Sequence, residues 1–180
     1  MGSIFMSKNK EDFKMADKIY AVITREAMAS EYDGTKRKSA KFYNGSDAPA
    51  EIENGMVVKI AGTIPGEREV LKVVAPEGTE DVADLWIVTT PEVDADERKK
   101  NLSDFVNKAG QIITIDKLMP NDIFSLTAEG LAGTAGAGHN VGLASAGGVK
   151  LVVDAATSGM GTVIGTVLDI TNAKVGIMVK

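Results

Sequence analysis

Cysteine is missing from all 180 residues, which removes a disulfide framework, a zinc knuckle, an iron–sulfur site and a thiol nucleophile. Histidine is nearly missing. His139 stands alone, so most imidazole-based metal sites are excluded and a single candidate imidazole base is left. Basic charge is in deficit: 20 Lys and Arg stand against 25 Asp and Glu, a formal net charge of −5. A binder of phosphate backbones would show a basic face or stripe instead. No apolar run approaches the roughly 18 residues that a membrane-spanning helix needs. Met1–Phe5 lack the charged and apolar regions of a signal peptide, and Met6 stands where myristoylation requires Ser or Thr. The expectation is therefore no nucleic-acid partner, no membrane partner, no metal and no cofactor.

What is present is enough apolar material for a core, 44% of the chain, within the length of one sizeable domain. Residues 1–15 read as an N-terminal arm and residues 16–180 as a single β-rich domain. The arm mixes Lys8, Lys10, Glu11, Asp12 and Lys14 with isolated Ile4, Phe5, Met6 and Phe13. Two readings compete for it: a segment that orders only against a partner, or a chain whose translation starts at Met15.

Strand signals dominate the rest. Lys18–Arg25 is β-branched and aromatic, and Ser39–Tyr43 follows a polar stretch with turn signals. Met56–Ala61 and Glu69–Ala75 pair across Pro65-Gly66 as a hairpin. Leu85–Thr90 is a continuous apolar run, the mark of a strand buried on both faces. Ile112–Ile115, Ile123–Thr127 and Val149–Ala155 are further strands. Thr162–Ile170 and Lys174–Val179 form a closing hairpin around Thr171-Asn172-Ala173, with Gly165 predicting a bulge or a close backbone crossing. One helix is signalled: Asp96-Glu97 at its start, Leu102, Phe105, Val106 and Ala109 at helical spacing, Gly110 as C-cap. Ten of the 19 glycines lie between Gly130 and Gly165, so Ala128–Gly148 reads as a long surface loop with little side chain to bury. The fold class that follows is mainly β: a barrel or sandwich of short strands with one inserted helix, a glycine-rich loop and an N-terminal arm.

Each reactive-looking pattern has a plainer explanation. Gly133–Gly138 resembles a phosphate loop, yet His139-Asn140 follow where Lys and Ser or Thr must engage phosphate and Mg²⁺. His139 could act as a base with Ser145, Ser158 or Asp154, but no G-x-S-x-G pentapeptide exists, and a histidine in a glycine-rich loop more often hydrogen-bonds or meets solvent. Asp94, Asp96 and Glu97 lack the spacing of a calcium loop, and helix capping accounts for them. Lys36-Arg37-Lys38 and Arg98–Lys100 are solvated faces of an acidic chain. No catalytic set is predicted, and an enzyme built on His139 is the rival of a different class.

The segment Asp96–Thr127 carries DERKKNLSDFVNKAG and NDIFSLT, and the C-terminal part carries GVKLVVDA…GTVIGTVLDI. These blocks resemble tailed-bacteriophage head decoration, or auxiliary capsid, proteins, over roughly Lys18–Lys180. The resemblance implies a virion structural protein, made in the host cytoplasm and found on the capsid exterior. Its partner would be the major capsid protein, with assembly of this chain as a trimer or another capsid-bound oligomer left open. A second virion role, as adaptor or anchor for head fibres, would add a head fibre protein as partner. The family brings no catalytic residues and no cofactor. Met1–Lys14 has no counterpart in it. An apolar arm can add a strand to a sheet edge of the shell, which makes Ile4, Phe5 and Met6 the expected capsid contacts and Phe13 a second anchor.

Overall fold

The computed structural model describes residues 18–93 and 101–180. Its twelve strands fall into two sheets. Five strands close a barrel in the order β2 (Arg37–Phe42), β4 (Glu67–Val74), β3 (Val57–Ile64), β5 (Leu85–Val88) and β6 (Ile113–Lys117), which pairs back onto β2. Only the β2–β4 pair is parallel. The other seven make an open sheet in the order β1 (Ile23–Ala27), β7 (Ile123–Thr127), β12 (Lys174–Val179), β11 (Met160–Thr171), β9 (Asn140–Ala144), β10 (Leu151–Asp154) and β8 (Leu131–Ala132). The fold class is thus mainly β, with a closed barrel, as the alternating patterns and turn signals predict.

Local chemistry explains the elements that match. Every residue of β5 is buried, as its unbroken apolar run requires. The β3–β4 hairpin turns at Pro65-Gly66, where Gly66 takes a φ of +84°. The β11–β12 hairpin closes between Thr171 and Lys174, and both central residues are left-handed: Asn172 at φ +53° and Ala173 at +60°. Asn suits that conformation and Ala does not. Gly165 sits at a register shift in the β9–β11 ladder, and a Cβ there would collide with the Met178 carbonyl. Both halves of its sequence reading hold.

Two expectations change. The N-terminal part of the helix read from Asp96 lies outside the described residues. Its remainder, Asn101–Gly110, is not an α-helix: Leu102–Asp104 make one 3-10 turn and the chain then extends. The physical reason is Asn107. It is fully buried, exchanges backbone bonds of 3.0 and 3.1 Å with Ile52, and donates through Nδ2 to the Ile52 carbonyl and to Asn54 Oδ1. Burial of the consecutive Phe105, Val106 and Asn107 serves an extended chain better than a helical stripe. The one α-helix among the described residues is α1, Ala29–Tyr32, whose first N–H donates to Asp122 Oδ1 at 2.8 Å.

The second change concerns Ala128–Gly148. The glycine-rich loop survives in two pieces, between β8 and β9 and after β9 at Ser145–Gly148, because the stretch also contains those two strands. Val141 and Leu143 are buried core residues of β9. Gly142 between them allows β11 to approach: a Cβ would stand 2.7 Å from the Thr162 carbonyl. One contiguous cluster of buried apolar side chains, from Ala21 to Val179, fills the space shared by the barrel and the sheet. No helix among the described residues is long and apolar enough to cross a membrane.

Candidate functional site

The predicted capsid-contact residues Ile4, Phe5, Met6 and Phe13 lie outside the described residues. The structure does fix where the chain emerges from them. Lys18 pairs with Glu53 at 3.5 Å and lies over the Tyr20 ring, 4.6 Å from its centre. The Tyr20 N–H donates to the Ser103 carbonyl at 2.8 Å, and the Ala21 N–H donates to Glu53 Oε2 at 3.1 Å. Val22 then exchanges bonds with Thr127: its N–H donates to Oγ1 and its carbonyl accepts the Thr127 N–H, each at 3.1 Å. Beyond it Ile23 opposes Leu126 as β1 pairs with β7. Two large apolar side chains flank this corner and stay in solvent, Ile19 at 62% and Leu102 at 55% exposure. Leu102 was expected in a helix interior face. Its Asn-Leu-Ser-Asp context, in which Asp104 Oδ2 accepts the Asn101 N–H at 3.2 Å, was the available signal for a turn instead.

The histidine-centred alternative has a definite geometry. His139, Asp154 and Ser158 line one open cleft of about 500 Å³ with Thr134 and Val152. Ser145 is not among its lining residues. The His139 ring and the Asp154 carboxylate are turned to backbone groups rather than to each other. His139 Nδ1 sits 3.1 Å from the Thr134 carbonyl, and its Nε2 lies against Gly136. The Asp154 carboxylate accepts the N–H groups of Ala156 and Ser158 at 3.3 and 3.0 Å, an Asx turn that closes the loop after β10. This arrangement holds two loops in shape. It places no base against a nucleophile. Among the described residues, no three acidic or imidazole side chains gather as a cation site.

The densest charge cluster went unnoticed in the sequence. Asp116 on β6 is wholly buried. Its Oδ1 accepts from Arg37 Nε at 2.8 Å, and its Oδ2 accepts from Thr89 Oγ1 at 2.9 Å, Arg37 at 3.3 Å and Arg25 at 3.4 Å. Glu31 pairs with the same two guanidiniums at 2.6 and 3.2 Å. Hydrogen bonding to Asp116, opposed by burial and reinforced by Glu31, holds the Arg37 guanidinium above its ordinary pKa. The network borders a shallow cleft of about 370 Å³ with Thr24, Pro91 and Glu92. Its charges are already matched, so its chemistry is that of a joint: Arg25 belongs to the open sheet, Arg37 and Asp116 to the barrel.

No family model, no curated protein and no solved structure matches the chain.

Proposed function

We propose that the protein is a virion structural protein that binds the outer surface of a tailed-phage capsid and stabilises the head. One observation carries the reading. The described parts of the two blocks that resemble head decoration proteins, Asn101–Gly110 and Asn121–Thr127, converge on the stretch Tyr20–Ile23 through the Tyr20–Ser103 and Val22–Thr127 bonds. In the sequence that stretch follows the apolar terminal residues Ile4, Phe5, Met6 and Phe13, with Lys14–Ile19 between. The resemblance-bearing residues thus meet at the corner where the described chain begins, with exposed Ile19 and Leu102 beside it.

On this reading the protein acts through contact area. The corner presents the arm, Ile4, Phe5 and Met6 dock against a sheet edge of the major capsid protein, and Phe13 adds a second anchor. Repetition over the lattice lets modest affinity per copy stabilise the whole shell. The test mixes purified protein with undecorated heads and images them. Ordered additional density is expected from the full chain. Deleting Met1–Lys14 should reduce occupancy while leaving the far-UV spectrum of the domain unchanged, and His139→Ala should leave occupancy unchanged. Absence of density with the full chain, or full occupancy by the truncated chain, would overturn the reading or its arm mechanism respectively.

A further inference from the structure

We propose that the segment Pro76–Glu80 is a releasable bolt between the barrel and the open sheet, held closed by the ionised Glu80 carboxylate and opened when that carboxylate is neutralised. The segment leaves β4 and crosses to the open sheet, where the β9–β11 ladder is interrupted. Met160 pairs with Ala144 and Val163 with Gly142, so a rung is displaced between them. The Thr162 N–H donates there to the Gly78 carbonyl at 2.8 Å, and the Gly148 N–H donates to the Pro76 carbonyl at 3.0 Å. Three glycines make room for this backbone-on-backbone seat. A Cβ on Gly161 would collide with the Gly78 carbonyl, one on Gly78 with the Ala144 carbonyl, and one on Gly147 would stand 2.9 Å from the Pro76 carbonyl.

The same segment is gripped from the opposite side. Glu80 accepts the N–H groups of Glu77 and Gly78 at 2.7 and 2.9 Å, while Lys59 Nζ donates to Glu80 at 2.8 Å and to Glu77 at 2.7 Å. Carbonyls therefore face the sheet and amides face the carboxylate. The segment has few apolar side chains to hold it, so these bonds and the ion pair bear the load. Other charged groups near Glu80 are Asp84, in the turn before β5, and Lys117 on β6, which share its cleft with Lys59 and Trp86.

Burial opposes ionisation of Glu80. Lys59 and the backbone N–H groups outweigh that, and the carboxyl is pulled down to about 2. Neutralisation removes the charge that strengthens the bonds from all three donors and turns one carboxyl oxygen into a donor itself. Gly148 is half-buried and Gly161 exposed, so a freed Thr162 or Gly148 amide can reach water without unfolding the core.

Hydrogen exchange at pH 7 on the full chain tests this, comparing the native protein with Glu80→Gln. The Gly148 and Thr162 amides should exchange at least tenfold faster in the variant. The core amides of Val88 and Thr89, which bond to Met56 and Thr114, should be unchanged. Equal acceleration of all four, or of none, would overturn the bolt. Should Glu80→Gln fail to fold, acid titration of the native protein followed by amide NMR decides. The Gly78 and Thr162 resonances should shift with a midpoint near 2 before the Val88 resonance moves, and simultaneous movement would refute release.

Discussion

Two of the joints between barrel and sheet use ionised carboxylates in opposite ways. At Asp116 the acid is wholly buried, and two guanidiniums, one from each layer, reach it with Thr89 completing its bonds. At Glu80 the acid holds a loop, and the loop's backbone makes the junction. Removing the first leaves two part-buried guanidiniums with only Glu31 to pair and the buried Thr89 hydroxyl without its acceptor, in the seam between packed strands, so its failure is global. Loss of the second exposes a few peptide groups that water can satisfy, so its failure is local. A carboxylate's contribution depends less on its partners' charge than on what remains unpaired without it.

The sharpest way to break this comparison is Asp116→Ala. It should destabilise the protein by about 3 kcal/mol, since Arg25 and Arg37 then keep only Glu31 between them. Urea denaturation at pH 7 measures it, and a loss no greater than that at the Glu80 joint would erase the distinction. A smaller effect is expected from Lys59→Met, about 1–2 kcal/mol at pH 7, because free-energy losses at this joint cannot exceed the cost of opening it. The pH dependence has a definite sign. The folded-state pKa of Glu80 is lowered from 4.5 to about 2, so its contribution is complete above pH 4.5 and disappears as the pH falls through 2. The difference between native protein and Lys59→Met should shrink over that interval, and a constant difference down to pH 2 would show that Lys59 acts by packing alone. Smallest of all is a change outside both joints. Ala173→Gly relieves a left-handed alanine in the β11–β12 turn and should add about 0.5–1 kcal/mol in the same urea assay while leaving both ionic joints as they are.

Strands and turns decided by their own residues were legible in the chain. The run Leu85–Val88 and the hairpin around Asn172-Ala173 have the predicted positions because composition and turn chemistry decide them locally. Asp116 was not legible. In β6 the alternation Ile113, Ile115 points into the barrel and would leave Asp116 outward, toward water; the open sheet covers that outer face and brings Arg25 with it. Burial by a second layer leaves no trace in a period of two. The helical spacing of Leu102, Phe105, Val106 and Ala109 misled for a related reason. Only Phe105 and Val106 of the four are buried, and the deciding contact, Asn107 with Ile52, is 55 residues distant. At the candidate site the arm residues lie outside the described ones. The exposure of Leu102 depended on a turn for which the Asn-Leu-Ser-Asp context competed with a helical spacing of apolar residues.

The order in which these strands meet has a consequence for how the chain is made. Val22 bonds to Thr127, 105 residues later, and β2 finds its antiparallel neighbour only when β6 has been synthesised. A ribosome that has released the first hundred residues has therefore produced neither a closed barrel nor a paired β1. Such long-range connectivity slows the search for the native arrangement, and the corner formed by Tyr20–Ile23 is among the last parts of the molecule to acquire its neighbours.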